Sequence, residues 1–217
     1  ATTRRNDVLR WIPELFGVTP EQISFRVRHR RSSGEQHEKR AETGDFREVR
    51  ESGMKFWVNV EDYLDTGLFL DDRNVRAMVS AMAEGKDVLN LFSYTCAISV
   101  AAVMGGARQV TSVDLSQTYL DWGERNFTLN DLDRRAHRFI RDDARGFLAH
   151  DRNTYGLIVL APPTYSRSSR TDEEFDVQLD HVRLIEQAAR RLTSDGVLLF
   201  TTNLRSFRLD EQSLEAF

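Results

Sequence analysis

The spacing of apolar residues changes at about Asp65. Beyond it, short apolar runs typical of buried strands alternate with stretches in which apolar residues recur every three or four positions, as in amphipathic helices. The predicted strands are Val88–Phe92, Gln109–Val113, His137–Ile140, Leu157–Leu160 and Gly196–Thr201. The predicted helices are Asp72–Ala83, Ala97–Met104, Gln117–Asn130, Arg145–His150 and Leu179–Leu192. This order predicts an α/β fold with a doubly wound parallel sheet and a ligand crevice at the carboxyl ends of its strands.

The first 64 residues have a different pattern. An amphipathic stretch up to Phe16, followed by Gly17 and Pro20, predicts a helix. Two alternating runs, ISFRVRHR and MKFWVNV, predict strands of a small antiparallel sheet, and the polar run RRSSGEQHEKRAETGD between them predicts a loop. We therefore expect a small α+β appendage over residues 1–64 and the parallel sheet over 65–217. Because the sequence stops at SLEAF, we expect the last strands of the sheet to be missing.

Composition and charge narrow the function classes. Hydrophobic residues make up 40% and charged residues 29%, which is ordinary for a globular protein. The net charge of −4 gives no bulk attraction for nucleic acid, although residues 26–40 form a locally basic arm that could contact phosphates or be a solvated strand face. The basic residues of the arm are Arg26, Arg28, Arg30, Arg31, Lys39 and Arg40. One cysteine excludes an internal disulfide, and no apolar run of membrane-spanning length occurs, so we expect a cytoplasmic protein.

The turn after the first predicted strand of the parallel sheet contains no glycine. The run VLNLFSYTCAISV has Phe92 to Cys96 where a dinucleotide site needs glycines that let the backbone approach a pyrophosphate. This turn is therefore not expected to bind a pyrophosphate.

Carboxylates follow the next two strands. Asp114 ends the second strand, where an acid can bind both ribose hydroxyls; the alternative is that it caps the next helix. Asp142 and Asp143 follow the third strand and can accept from an adenine amine, or equally cap the next helix. A nucleoside held by acids without a pyrophosphate loop indicates S-adenosylmethionine (SAM) as the cofactor.

The fourth strand ends in LIVLAPPTYS. Consecutive prolines make a rigid turn, and the aromatic ring of Tyr165 beside them can stack on a base presented at the crevice. The alternative is a stiff loop with a packed aromatic residue.

Three runs together carry a family resemblance: YLDTGLFLDDRNVR, VLNLFSYTCAISVAAVMGGARQVTSVDLSQTYLDWGERN and LAPPTYSRSSRTDEEFDVQLDH. Over about residues 7–210 the chain resembles the class I, Rossmann-like SAM-dependent methyltransferases of large-subunit rRNA. It is most similar to the N7-guanine-forming half of the bifunctional bacterial 23S rRNA guanine methyltransferases. The resemblance implies 23S rRNA or a ribosomal assembly precursor as the partner; it leaves the oligomeric state open.

The resemblance also implies roles for single residues. The methionine end of the cofactor would be lined by Asn90, Phe92, Ser93 and Thr95. The rest of the cofactor would meet Asp114 at the ribose, Leu115 and Asp143 at the adenine, and Arg73 at the carboxylate. The target-base pocket would be shaped by Ala161, Pro162, Pro163, Thr164 and Tyr165, and covered by Phe175, Asp176, Gln178 and His181. We expect His181 to anchor a helix or loop rather than to act as a general base.

The chain departs from the family pattern at two positions. Cys96 stands where the family has glycine and adds a side chain where the turn approaches the cofactor; the small thiol is either accommodated there or weakens cofactor binding. Ala161 stands where the family has an acid; such an acid accepts protons in amine methylation, whereas N7 of guanine carries no proton to remove. Loss of the acid is expected to weaken orientation of the base by about 1–3 kcal/mol.

Other functions remain open alternatives. A non-catalytic RNA-binding module with a degenerate crevice would explain Cys96 and Ala161, and a small-molecule substrate is compatible with the fold. A cytosine-C5 methyltransferase needs a cysteine nucleophile, but Cys96 lies in the cofactor turn. The histidines are scattered, so no metal site is expected.

Overall fold

A computed structural model describes residues 2–25, 41–167 and 174–215 of the chain. Its α-helices are α1 (Thr2–Phe16), α2 (Arg73–Met82), α3 (Ala97–Met104), α4 (Gln117–Leu129), α5 (Ala144–His150), α6 (Val177–Ala189) and α7 (Glu211–Glu215). Its strands are β1 (Arg47–Glu51), β2 (Met54–Val58), β3 (Asp87–Leu91), β4 (Gln109–Asp114), β5 (Arg138–Arg141), β6 (Tyr155–Leu160), β7 (Tyr165–Arg167), β8 (Glu174–Asp176) and β9 (Leu192–Phe200). No helix in these ranges is both long and apolar enough to cross a membrane.

The centre of the fold is a parallel sheet of five strands in the order β5-β4-β3-β6-β9. Chain order reverses between β3 and β6, the place where doubly wound sheets open a crevice for a ligand. Apolar side chains of β3 and β4 pack against α5 and α6 on one face and against α2 and α3 on the other. The predicted α/β fold with a doubly wound parallel sheet is therefore confirmed, and each of its five predicted strands exists.

The ends of the elements differ from the prediction most clearly after α6. That helix stops at Ala189, and Leu192, predicted as its last residue, is the first residue of β9. β9 therefore begins four residues earlier than the apolar run from Gly196 indicates, because Leu192 already pairs with Tyr155 of β6, and a register shift follows before Val197 pairs with Leu157.

The N-terminal strand pair differs from the predicted one. β2 has the residues of the MKFWVNV run, but its antiparallel partner is β1 rather than ISFRVRHR. Residues 23–25 of ISFRVRHR form no strand, and the remainder lies outside the described residues, as does the basic arm from Arg26 to Arg40. The two-residue turn Ser52-Gly53 has positive φ at both positions, 50° and 83°, which is the geometry that closes tight hairpins. The tight turn therefore makes the adjacent strand β1 the partner of β2.

The hairpin β1–β2 packs on the helices of the sheet. Met54, Phe56 and Val58 share one buried apolar cluster with residues of α3 and α4, among them Val100 and Leu120. A division of the chain at Asp65 stays a prediction, but this strand pair buries its apolar face against the parallel-sheet part.

A buried ion pair ties the hairpin to α2. Glu51, the last residue of β1, accepts bonds from Arg76 Nε at 2.7 Å and Arg76 Nη2 at 2.8 Å, and Arg76 Nη1 donates to the Phe69 carbonyl at 2.9 Å. Both side chains are almost fully buried, while Arg73, which also bonds Glu51, is exposed. The bonds from Arg76 lower the pKa of the Glu51 carboxyl below its ordinary value, against the opposing effect of burial.

This pair predicts a large stability effect. Replacing Arg76 with Met leaves the Glu51 carboxylate buried with its main partner gone, so the free energy of unfolding in urea should fall by about 3–5 kcal/mol at pH 7. Because the pKa of Glu51 is lowered in the folded chain, the contribution is present above its unfolded pKa and is lost as pH falls through the folded value. Arg47→Met is the control, since its pair with Asp45 is exposed and should matter by less than about 1 kcal/mol. Equal losses in the two variants would contradict a buried pair.

Candidate active site

The candidate functional residues lie at one edge of the parallel sheet. The loop Phe92–Cys96 follows β3, Asp114 ends β4, Asp142 and Asp143 follow β5, and residues 161–165 follow β6. Since all four strands are parallel, their carboxyl ends lie at the same edge. The structure thus brings most of the predicted cofactor residues together with the predicted base-pocket residues, whereas Arg73 begins α2 and bonds Glu51 of the hairpin.

The loop Phe92–Cys96 has an unusual backbone. Phe92, Tyr94 and Cys96 have φ values of 58°, 49° and 57°, in the left-handed region that favours glycine. Bonds from several elements hold the loop: Ser93 N donates to the Val113 carbonyl at 3.0 Å and Cys96 N to the Ser93 carbonyl at 2.8 Å. Surrounding structure therefore imposes this shape on a loop without glycine.

Asp114 is one of the groups that hold this loop. Its Oδ2 accepts from Tyr94 N at 2.8 Å and its Oδ1 from Ser116 N at 2.9 Å. The N-cap of α4 is Ser116, whose Oγ accepts from Tyr119 N, so the alternative that Asp114 caps this helix is wrong. The side chain is half-buried at the sheet edge, where a ribose-binding acid would lie.

Asp143 does cap a helix. Its Oδ1 accepts from Arg145 N at 3.0 Å and Gly146 N at 3.2 Å at the start of α5, while Asp142 Oδ1 accepts from Asp143 N. The two capping bonds use only Oδ1 of Asp143, so capping and acceptance from an adenine amine by Oδ2 are compatible. The adenine role stays a prediction.

Asn90 belongs to a buried polar group beneath the loop. Its Nδ2 donates to Ser99 Oγ at 2.8 Å, and Ser99 Oγ lies 2.8 Å from Ser112 Oγ. Asn90 Oδ1 is buried and has no hydrogen-bond partner among the described residues. A buried acceptor without a donor is costly, so this oxygen is suited to an incoming donor.

Two other predicted cofactor residues contact protein groups. Thr95 Oγ1 donates to the Gly67 carbonyl at 2.6 Å, and Arg73 pairs with Glu51 at 3.1 Å. Ser93 is buried, and Leu115 is half-buried directly after Asp114. Thr95 therefore holds the neighbouring segment, and cofactor contact by Arg73 stays a prediction.

The loop after β6 leads into a short two-stranded ribbon that the sequence did not predict. Pro162 is buried, Thr164 is exposed, and Tyr165 is 37% exposed at the start of β7, which pairs with β8. Phe175 of β8 is buried, and its ring lies 6.0 Å from that of Phe92. The ribbon thus connects the predicted base pocket to the loop after β3, and its buried proline and exposed tyrosine suit a rigid pocket with a ring to stack on.

Three of the residues predicted to cover the base pocket form hydrogen bonds at the start of α6 and to the segment after β9. Asp176 is the N-cap of α6, and its Oδ1 accepts from Gln178 N at 2.8 Å. Gln178 exchanges two bonds with the backbone of Arg208, and His181 Nε2 accepts from Asp210 N at 3.1 Å. His181 is buried and anchors the segment after β9, so the structure gives it an anchoring role; substrate contact by these residues stays a prediction.

Comparison with known proteins gives the family. The sequence model of the S-adenosylmethionine-dependent methyltransferases matches residues 13–215. The chain belongs to this family. The match confirms SAM as the cofactor expected from the sequence.

Solved structures agree with the family. A putative methyltransferase complexed with SAH is 35% identical, with a TM-score of 0.74 over 81% of this chain and 47% of the other. A putative SAM-dependent methyltransferase from Streptococcus mutans is 35% identical, with a TM-score of 0.71 over 81% of this chain and 46% of the other. A SAM-dependent methyltransferase from Agrobacterium tumefaciens is 25% identical, with a TM-score of 0.68 over 82% and 58%. The chain thus spans about half the length of these solved relatives.

Of the two outcomes open for Cys96, the structure shows the side chain accommodated. Its side chain is fully buried against α4, where a Cβ added at Gly123 would lie 2.9 Å from the Cys96 Cβ and closer to Sγ. Burial raises the pKa of this thiol to about 12, so it stays protonated and cannot be the nucleophile of a cytosine-C5 methyltransferase. The side chain is therefore accommodated inside the fold, and an effect of Cys96 on cofactor binding stays a prediction.

The sequence did not predict the contacts that connect Tyr94 and Gly67 beside the candidate site. Tyr94 OH accepts from Gly67 N at 2.9 Å and donates to the Asp65 carbonyl at 3.0 Å, which fixes the DTG segment to the cofactor loop. Gly67 has φ of 98° and leaves no room for a Cβ beside Trp122. The glycine in YLDTGLF is a local signal for a turn, but nothing local identifies its partners.

The described residues also form a polar cavity away from the candidate active site. A polar cavity of about 350 Å³, lined by residues such as Arg138 and Arg152, lies at the amino ends of the strands, opposite the candidate active site. Among the described ranges, no group of three or more His, Cys, Asp or Glu side chains is arranged to hold a metal ion.

The Cys96–Gly123 contact predicts non-additive stability. Gly123→Ala should lower the free energy of unfolding by about 1–3 kcal/mol, because the added methyl overlaps Cys96. In a Cys96→Gly background the same change should be neutral or stabilising by up to about 1 kcal/mol, since alanine is the better helix former. Urea unfolding of the two single variants and the double variant measures the coupling. An equal cost of Gly123→Ala in both backgrounds would place the Cys96 side chain elsewhere.

Proposed function

We propose that this chain is the catalytic part of a SAM-dependent methyltransferase that methylates N7 of a guanine in 23S rRNA. Family membership supports the reaction class. The rRNA substrate is supported by the resemblance of three sequence runs and by the exposed ring of Tyr165 beside the rigid prolines. The proposed partner is 23S rRNA or a ribosomal assembly precursor in the cytoplasm.

The residues at the sheet edge fit the cofactor. Asp114 offers carboxylate lone pairs for the ribose hydroxyls, and the oxygens are fixed in place by Tyr94 N and Ser116 N. Asn90 Oδ1 is a buried acceptor for a donor at the methionine end. Asp143 Oδ2 and Leu115 would receive the adenine. No predicted cofactor residue needs a glycine-rich phosphate loop, in agreement with a cofactor that has no phosphate.

Direct titration tests the cofactor site. We expect saturable binding of SAM and SAH by calorimetry and at least a 100-fold loss of affinity in Asp114→Ala, since about 3 kcal/mol of charge-assisted bonding disappears. Asp87→Ala is the matched control, because this carboxylate lies at the amino end of β3, at the opposite edge of the sheet, and pairs there with Arg108. Absence of SAM binding by the folded wild-type chain would refute the cofactor site and favour a binding module.

The residue that follows β6 supports N7, rather than an exocyclic amine, as the proposed methyl acceptor. When bound, SAM supplies a methyl group on a sulfonium, so the N7 lone pair forms the new C–N bond while sulfur keeps the electrons of the broken bond. N7 has no hydrogen, so no residue has to accept a proton. Ala161, at the carboxyl end of β6, could not accept one. This residue is the observation that carries the choice of N7.

The chain's own contribution to this reaction is alignment. Pro162 and Pro163 fix the turn after β6, and the Thr164 carbonyl accepts from Val177 N at 3.1 Å, which closes the turn onto α6. Tyr165 presents a ring for a splayed guanine, because a stacked or paired base cannot reach the edge of the sheet. Alignment of nucleophile and methyl group in a pocket poor in water is a sufficient catalytic strategy for such a reaction.

Methylation of RNA tests the substrate. Purified chain and labelled SAM should methylate 23S rRNA that lacks the modification, and cleavage of the RNA specific for N7-methylguanosine should locate the label. Ala161→Asp should raise kcat/KM by about 5- to 150-fold, equivalent to the about 1–3 kcal/mol of one polar contact to the guanine N1–H and N2–H₂. Ala161→Leu, of similar size but without an acceptor, should not.

The outcomes separate the proposal from its alternative. Transfer to N7 supports the proposal, and transfer to an exocyclic amine would refute the choice of atom. If neither wild type nor Ala161→Asp transfers methyl although both bind SAM, the chain is a non-catalytic RNA-binding module or uses another substrate. The Cys96 geometry removes one of the two sequence features that had favoured that module.

A further inference from the structure

Asn126 of α4 touches both the hairpin and the cofactor loop. Its Oδ1 accepts from Trp57 N of β2 at 2.8 Å, and its Nδ2 donates to the Thr95 carbonyl at 2.9 Å. The residue is fully buried. One side chain therefore connects β2 to the loop Phe92–Cys96, where SAM is proposed to bind.

The chemistry of these two bonds allows only one residue type of this size. Trp57 N–H needs an acceptor and the Thr95 carbonyl needs a donor, so the amide of Asn satisfies both, in a single orientation. An isosteric aspartate would place an oxygen against the Thr95 carbonyl oxygen. Leucine would leave both backbone groups buried and unpaired.

The Thr95 carbonyl is a sensitive point of the loop. It lies between Tyr94 and Cys96, which both have positive φ. The neighbouring bonds restrain the backbone amides of Ser93, Tyr94 and Cys96 and the hydroxyl of Thr95, whereas the bond from Asn126 is the one described for this carbonyl. Loss of that bond frees the peptide unit that joins Thr95 to Cys96 and to the start of α3.

Asn130, the C-cap residue of α4, provides a matched comparison. One turn further along α4, its Oδ1 accepts from Lys55 N at 2.8 Å and its Nδ2 donates to the Lys55 carbonyl at 2.7 Å. Asn126 and Asn130 thus pair with β2 in the same way, through its backbone. The difference is that the described bonds of Asn130 include none to the cofactor loop.

We propose that Asn126 is a positioning residue for SAM: it holds the Thr95 peptide so that the cofactor loop keeps its binding shape. This inference rests on the proposed function for the cofactor, because it assigns the loop as the binding surface. The described side-chain bonds of Asn130 go to Lys55 of the hairpin and to the Asn126 carbonyl, and none goes to the loop Phe92–Cys96. The two asparagines therefore separate support of the fold from support of the site.

The test compares Asn126→Asp with Asn130→Asp. Each change is isosteric and sets a carboxylate oxygen against a backbone carbonyl, so both variants should lose stability. Calorimetric titration with SAH, far below the unfolding temperature of each variant, should show at least a tenfold rise in Kd for Asn126→Asp and less than a threefold rise for Asn130→Asp. Asn126→Ala replaces Asn126→Asp if the latter does not fold, with the same expectation.

Amide hydrogen exchange without ligand gives a second readout. Protection of the Tyr94 and Cys96 amides should fall in the Asn126 variant and stay near the wild-type level in the Asn130 variant. Equal changes in both variants, or wild-type affinity and protection in the Asn126 variant, would overturn the proposal. Failure of the wild-type chain to bind SAH would instead refute the proposed function, while exchange would still report whether Asn126 orders the loop.

Discussion

The backbone shape of the loop between β3 and α3 is the constraint on which the site depends. Three residues in this loop that are not glycine have positive φ: Phe92, Tyr94 and Cys96. Each such conformation costs on the order of 1–3 kcal/mol. Such a conformation persists only if neighbouring elements impose it. Asp114 of β4, the carbonyl of Gly67 and Asn126 of α4 each bond this loop. The end of β4, the segment Asp65–Gly67 and α4 must therefore all be correctly placed for this loop to adopt its shape.

The hairpin β1–β2 is part of this support. It reaches the loop through Asn126, and it is itself held by Asn130 and by the buried pair of Glu51 with Arg76. Its apolar face shares a cluster with Cys96, the last residue of the loop. The strand pair predicted as part of an appendage is thus physically continuous with the site, whichever way the chain is divided into domains.

Features that depend on residues close together in the sequence were predicted, and features that depend on distant partners were not. The apolar runs of β3, β4 and β6 are buried on both faces, so their pattern predicted the sheet and placed Asp114 at its edge. β1 was missed because its inward residue Glu51 is charged, and only a distant arginine makes its burial tolerable. Asp143 stayed ambiguous because one carboxylate can cap a helix and accept a ligand bond. Asn126 was invisible because its partners are 31 and 69 residues away in sequence.

The two departures from the family pattern have different physical consequences. Cys96 adds a side chain at a position with positive φ, but Gly123 in α4 leaves the space that the thiol fills, so the change is compensated inside the fold. Ala161 is half-buried at the carboxyl end of β6, where an acid would face the base. A deficit in substrate orientation would therefore originate at Ala161, and it would weaken the hold on the base without altering the cofactor loop.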